Sequence, residues 1–194
     1  MTALSIDYAA VVRALGSPVQ PSHLGDALLE ALGDHYQRQR PMCALVTFVQ
    51  SGATYLFDLG SAAGAPRDER TVAAWMLTPA VVAGRDASYQ RGFPLPPTAD
   101  GTPVDRGHLI PHLSGGEYGP NLFRQDRALN RGWSEAGIRY RRLEREAAAS
   151  PGTFYFGHLR YDDDTAHPCE IETGLLRDGE LHVERFDNRP GRRP

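Results

Sequence analysis

Asp105-Arg106-Gly107-His108 sets a carboxylate, a cation and a titratable base side by side, and Asn121, Gln125, Asn130 and Glu144 follow downstream. An imidazole is half ionised near neutral pH, so His108 is the natural general base. Carboxamide and carboxylate oxygens are the ligands that a hard cation such as Mg2+ takes. These residue types fit metal-assisted cleavage of a phosphodiester: a base activates water, and a cation absorbs charge on the phosphate.

Several elements must position these groups. Residues 103–110 read as a short strand carrying the tetrapeptide. Strict alternation puts Asp105 and His108 on opposite faces, so a bend at Gly107 is expected to re-aim the imidazole. The glycine also removes bulk that would keep a phosphate from the backbone. Ser114-Gly115-Gly116-Glu117-Tyr118-Gly119-Pro120 is a turn-rich excursion. Residues 138–149 pattern as an amphipathic helix with Tyr140, Leu143 and Ala147 on its apolar stripe. Asn130 stands just before it, where a capping or turn residue is the plain alternative. One unbroken helix from Asn130 to Glu144 would separate them by about 21 Å, too far to share an ion. Gly132 or Gly137 can break that helix, and Glu135 is the nearer rival.

The rest of the chain supplies a frame. Residues 5–15 and 24–36 read as amphipathic helices, with Ser22 as the cap of the second and Leu24, Leu28, Leu29 and Leu32 on one face. Strands are expected at 44–49 and 54–57 around Ser51-Gly52-Ala53, near 72–76, at 153–159, and at 170–176 and 180–186 across Arg177-Asp178-Gly179. Pro94, Pro96 and Pro97 mark residues 92–101 as loop. The expected class is α+β with an antiparallel sheet. A helical N-terminal extension over residues 1–40 precedes a domain spanning 41–190.

A net charge of -3 argues by itself against a polyanion partner, but its distribution argues otherwise. Residues 105–145 hold 8 Arg against 5 acids, a positive stretch that coincides with the candidate site. A solvated Arg-rich helix would look the same. All 21 basic residues are Arg, which suits bidentate phosphate contacts, although a GC-rich genome gives the same bias. No apolar run approaches the roughly 20 residues that span a bilayer, and Met1-Thr2-Ala3-Leu4 lacks a basic n-region. Neither a membrane partner nor a signal peptide is therefore expected. Cys43 and Cys169 form no CxxC pair and do not fix the compartment.

Asp-Arg-Gly-His, an Asn with Gln four residues on, a Leu-Asn near a helix start and then a helical Glu together resemble the DNA/RNA non-specific endonucleases. These are the ββα-metal nucleases that include endonuclease G and bacterial surface or secreted nucleases. The likeness covers roughly residues 105–144. It implies a strand carrying the tetrapeptide, a turn-rich excursion and a helix, with His108 as general base and Asn130 as ligand of one Mg2+ (Mn2+ as substitute). It matches Asn121 to an upstream site Asn and Gln125 to a polar residue near the substrate. Many members carry the Glu about two turns after the metal Asn. The longer spacing here resembles the branch with streptococcal surface nucleases, which favours Glu144 over Glu135 as acidic partner of the hydrated cation. Arg131 stands where many relatives have Gln. The implied reaction is hydrolysis of DNA and RNA with low sequence specificity. In it Arg106, and with it Arg131, holds phosphate oxygens, and Asp105 helps fix the waters of the ion.

Competing readings are a zinc site from His108, His112, His167 and Cys169, and a non-catalytic nucleic-acid-binding or interaction module on the same fold. Asp162-Asp163-Asp164 reads as a solvated turn or a Ca2+ loop, and Trp75 and Trp133 as core or site-wall residues. A non-specific nuclease endangers its own genome, so an immunity or inhibitor protein, or secretion or delivery to a target cell as a toxin, is expected.

Overall fold

Two-residue turns at Ser51-Gly52 and Asp178-Gly179, all four at positive φ, close hairpins of the geometry that suits the right-handed twist of paired strands. The first joins β1 (Cys43–Gln50) to β2 (Ala53–Ser61), and the second joins β7 (Glu170–Arg177) to β8 (Glu180–Asp187). With β3 (Arg70–Leu77) and β6 (Phe154–Arg160) they form a six-stranded sheet in the order β1-β2-β3-β6-β7-β8. Every pairing in it is antiparallel. The computed structural model describes residues 5–61, 69–81, 102 and 104–189. The loop expected over residues 92–101 lies outside them.

Side-chain alternation along the strands divides the core in two. Leu56, Ala73, Trp75 and Phe156 face one way, into a cluster with Leu24, Leu28, Leu32 and Tyr36. Their neighbours Tyr55, Ala74, Met76 and Tyr155 face the other way, towards Leu109, Phe123, Tyr140 and Leu143. Helices α1 (Tyr8–Leu15) and α2 (Pro21–Gln39) therefore cover one face of the sheet and share its core. Asp7 caps α1 through a 2.8 Å bond from the Ala10 amide. The second helix starts at Pro21 rather than at a Ser22 cap, because a proline at the first helical position lacks only an N–H that would have no partner there. The fold is mixed α+β with an antiparallel sheet, as the patterning implied.

The opposite face carries a smaller unit. Strands β4 (Val104–His108) and β5 (Leu122–Asp126) pair antiparallel across the excursion. They lead directly into a short helix, α3 (Arg127–Arg131), and then α4 (Glu135–Ala149). Asp126 caps α3 by accepting from the Leu129 amide at 2.8 Å, and Ser134 caps α4 by accepting from Gly137 at 3.0 Å. Gly132 ends α3 in the left-handed region at φ 69, which a residue with a side chain adopts only at a cost. The chain thus turns between Asn130 and Glu144, and the two do not lie along a single helix.

Candidate active site

Asp105 organises the site. Its carboxylate accepts from Arg127 Nε at 3.0 Å, from Arg131 Nε at 2.6 Å and Nη2 at 3.2 Å, and from Asn130 Nδ2 at 3.2 Å. Partial burial alone would raise its pKa. The bonds from Arg131, Asn130 and Arg127 outweigh that and hold it below the usual carboxylate range. With both oxygens engaged, Asp105 acts as a clamp on the start of the helical segment. Arg131 is engaged twice: besides its two hydrogen bonds to Asp105, its guanidinium lies over the Trp133 ring, 4.9 Å from the centre. The two side chains thus position each other.

That clamp settles the orientation of Asn130. Because Nδ2 donates to Asp105, Oδ1 is the atom left to accept from water or to meet a cation.

Glu144 offers a different kind of oxygen. Burial lifts its pKa to about 7 against the pull of Arg141 and Arg145, and its charge is felt by the Tyr140 and Tyr155 phenols. Among the described residues no hydrogen bond or ion pair neutralises it. A half-buried carboxylate left in that state is costly, and a cation would relieve it. Glu135, its rival, lies exposed in the first turn of α4, where a carboxylate is favoured by the unpaired amides at a helix start.

His108 closes strand β4 with 9% of its surface exposed. Its ring centre is 6.2 Å from that of His112 and 6.0 Å from that of Tyr118, and its Nε2 is shielded from solvent. Tyr140 reaches from α4 to donate to the His108 carbonyl at 3.4 Å. The β4–β5 ladder stays in register through Gly107, so the expected bend is not made there. Alternation then points the Asp105 side chain to one face of the ribbon and those of Arg106 and His108 to the other.

Arg124 is a residue that sequence reasoning passed over. It pairs directly with Arg106 across the ladder, on the His108 face. Like charges in register repel, and Arg124 is buried at 5% exposure. Arg124 was hidden because β5 itself was not foreseen.

Gly107 has a reason other than access for phosphate. A Cβ there would stand 2.2 Å from Gln125 Oε1, so the glutamine side chain fills that volume. Gln125 is fully buried, with its side chain against the Tyr140 hydroxyl of α4. Asn121 is equally buried. It accepts from the Ile110 amide at 2.7 Å and donates to the Ile110 and Glu117 carbonyls at 2.9 and 2.7 Å. Asn121 thus fastens the excursion, and Gln125 packs under the strand.

Among the described residues no three His, Cys, Asp or Glu side chains gather into a metal-binding group, so the four-ligand zinc arrangement is not formed. A Mg2+ ion that keeps most of its water needs fewer protein ligands, and Asn130 Oδ1 with Glu144 fits that demand in chemistry. Arginines take up oxygens around Asp162-Asp163-Asp164. Arg70 Nη1 donates to the Asp163 and Thr165 carbonyls at 2.7 and 2.6 Å, and Arg40 lies 3.8 Å from Asp164. Those arginines occupy the role a cation would have. Trp75 is buried in the core at 7% exposure, whereas Trp133 stands out from the surface at 65%.

Among the described residues no helix is long and apolar enough to cross a membrane. No protein-family model matches the chain, and no curated protein matches it in sequence.

Proposed function

We propose that this chain is a metal-dependent non-specific endonuclease of the ββα-metal kind, hydrolysing phosphodiester bonds of DNA and RNA. The observation that carries the reading is the clamp on Asn130. A carboxylate, itself held by two arginines, fixes one carboxamide so that its oxygen is the free end, on a helix that directly follows a strand pair bearing Asp-Arg-Gly-His. Asn130 Oδ1 and Glu144 would hold a hydrated Mg2+, or Mn2+ in its place. When bound, that ion supplies positive charge for the oxygens of the phosphate. His108 takes a proton from the attacking water. Arg106 and Arg124 hold non-bridging phosphate oxygens, and contacts of that type carry no base sequence information.

The test is cleavage of supercoiled plasmid and of total RNA by the purified chain with added Mg2+. Cleavage is expected, with loss on EDTA and a fall of about 100- to 10,000-fold in His108→Ala. Cleavage by His108→Ala at the wild-type rate would reject the mechanism. The shielding of His108 Nε2 favours a second reading, a non-catalytic nucleic-acid-binding module. Plasmid bound by the wild-type protein and left uncut with Mg2+ would decide for it.

Uncontrolled cleavage of nucleic acid is lethal to the cell that makes it, so an immunity protein or export as a toxin belongs to this reading. Expression of the lone, active chain in a cytoplasm without harm would remove that part.

A further inference from the structure

We infer that Trp133 is a stacking platform for one unpaired nucleobase, which makes single-stranded nucleic acid the preferred substrate. The inference rests on the nuclease reading for its setting and on separate observations for its content. An indole buries a large apolar area when it can, and this chain does so with Trp75. Trp133 instead stands 65% exposed.

Its position is fixed. The Trp133 amide donates to the Ala128 carbonyl at 2.9 Å, directly after the left-handed turn at Gly132. The Arg131 guanidinium lies 4.9 Å from the ring centre and is itself held on Asp105 at 2.6 Å. Arg141 Nη1 donates to the Arg131 carbonyl at 3.2 Å and brings a further cation to the same turn. A ring held in place loses little freedom when a ligand lands on it. The Arg131 guanidinium lies over one face of the indole, which leaves the other face for a base and keeps a cation beside the phosphates that flank it. The same Asp105 carboxylate grips Asn130, so platform and candidate metal ligand are joined through one residue.

Bases of a duplex are stacked on each other and offer no free face, whereas those of a single strand do. Aromatic stacking is tolerant of base identity, which agrees with a non-specific enzyme.

The experiment measures binding in EDTA, where nothing is cut, by fluorescence anisotropy of labelled oligonucleotides. The ligands are an oligothymidylate strand, the same strand with abasic sites throughout, and a duplex of equal length. Trp133→Ala should weaken binding of the oligothymidylate roughly tenfold and leave the abasic strand and duplex within about twofold, while Trp133→Phe keeps most of the affinity. Equal weakening on all three ligands, or no weakening on any, would overturn the platform. Cleavage assays with Mg2+ keep this apart from the parent reading. A wild-type protein that binds through Trp133 without cutting loses only the nuclease proposal, and one that cuts with unchanged Trp133→Ala binding loses only the platform.

Discussion

Glu172 and Glu144 are carboxylates on opposite sides of the same sheet, and their surroundings push them in opposite directions. Glu172 in β7 is 1% exposed. It accepts from the Tyr8 hydroxyl, pairs with His158 Nδ1 at 2.9 Å and meets Arg185 Nε at 2.7 Å. Burial alone would raise its pKa, but those partners bring it down to about 2. Glu144, with no such partners, is left near 7 by burial. On the helical face the chain neutralises what it buries, and α1 is tied to the sheet in doing so. Across the sheet it leaves Glu144 without that settlement. Groups kept in a costly state are where binding or catalysis is to be sought.

The comparison can be broken from either side. Removing one partner of a buried, paired charge strands the others, so Glu172→Ala should cost about 3–5 kcal/mol in urea unfolding. Specific cleavage by the folded fraction should stay unchanged; a stable variant, or one dead while folded, would end the structural reading of that network. The sign with pH follows from the lowered pKa. The stabilising contribution of Glu172 is present above about 4.5 and is lost as pH falls towards about 2.

Asp105→Ala frees Asn130 and both arginines on the site side. Loss of such a supporting residue costs about 10- to 100-fold, read here as a rise in the Mg2+ concentration for half-maximal cleavage. An unchanged Mg2+ requirement would deny Asp105 its positioning role.

Glu144 gives the most discriminating effect. Its raised pKa means that stability is lost as pH climbs from about 4.5 through about 7. Glu144→Gln should therefore stabilise the protein by about 3 kcal/mol at pH 8 and hardly at all at pH 4.5. The same change should depress cleavage, and Glu135→Gln should do neither. Equal, mild effects of the two variants would leave Glu144 without a special place.

Much of this frame was legible because it is local. Alternation and turn residues gave the hairpins around Ser51-Gly52 and Asp178-Gly179, and the helical stripe of Tyr140, Leu143 and Ala147 gave α4. The tetrapeptide strand was legible too, since Asp105 to His108 ends in a turn-rich run. Strand β5 was not, because Leu122 to Asp126 has no alternation of its own and is paired only through contacts made across the excursion. With it went Arg124. Helix α3 spans five residues, too few for a periodic signal, so Asn130 was placed outside a helix that in fact contains it. The clamp on Asp105 joins residues 22, 25 and 26 positions apart, and no spacing rule foretells it.

Gln125 lying in the space beside Gly107 binds the fate of two distant positions together. An alanine at 107 would bring its methyl group to 2.2 Å from Gln125 Oε1 and 2.7 Å from Gln125 Cβ, so even a shortened side chain at 125 crowds it. The glycine of the tetrapeptide therefore records an agreement between neighbouring strands as much as any demand of chemistry.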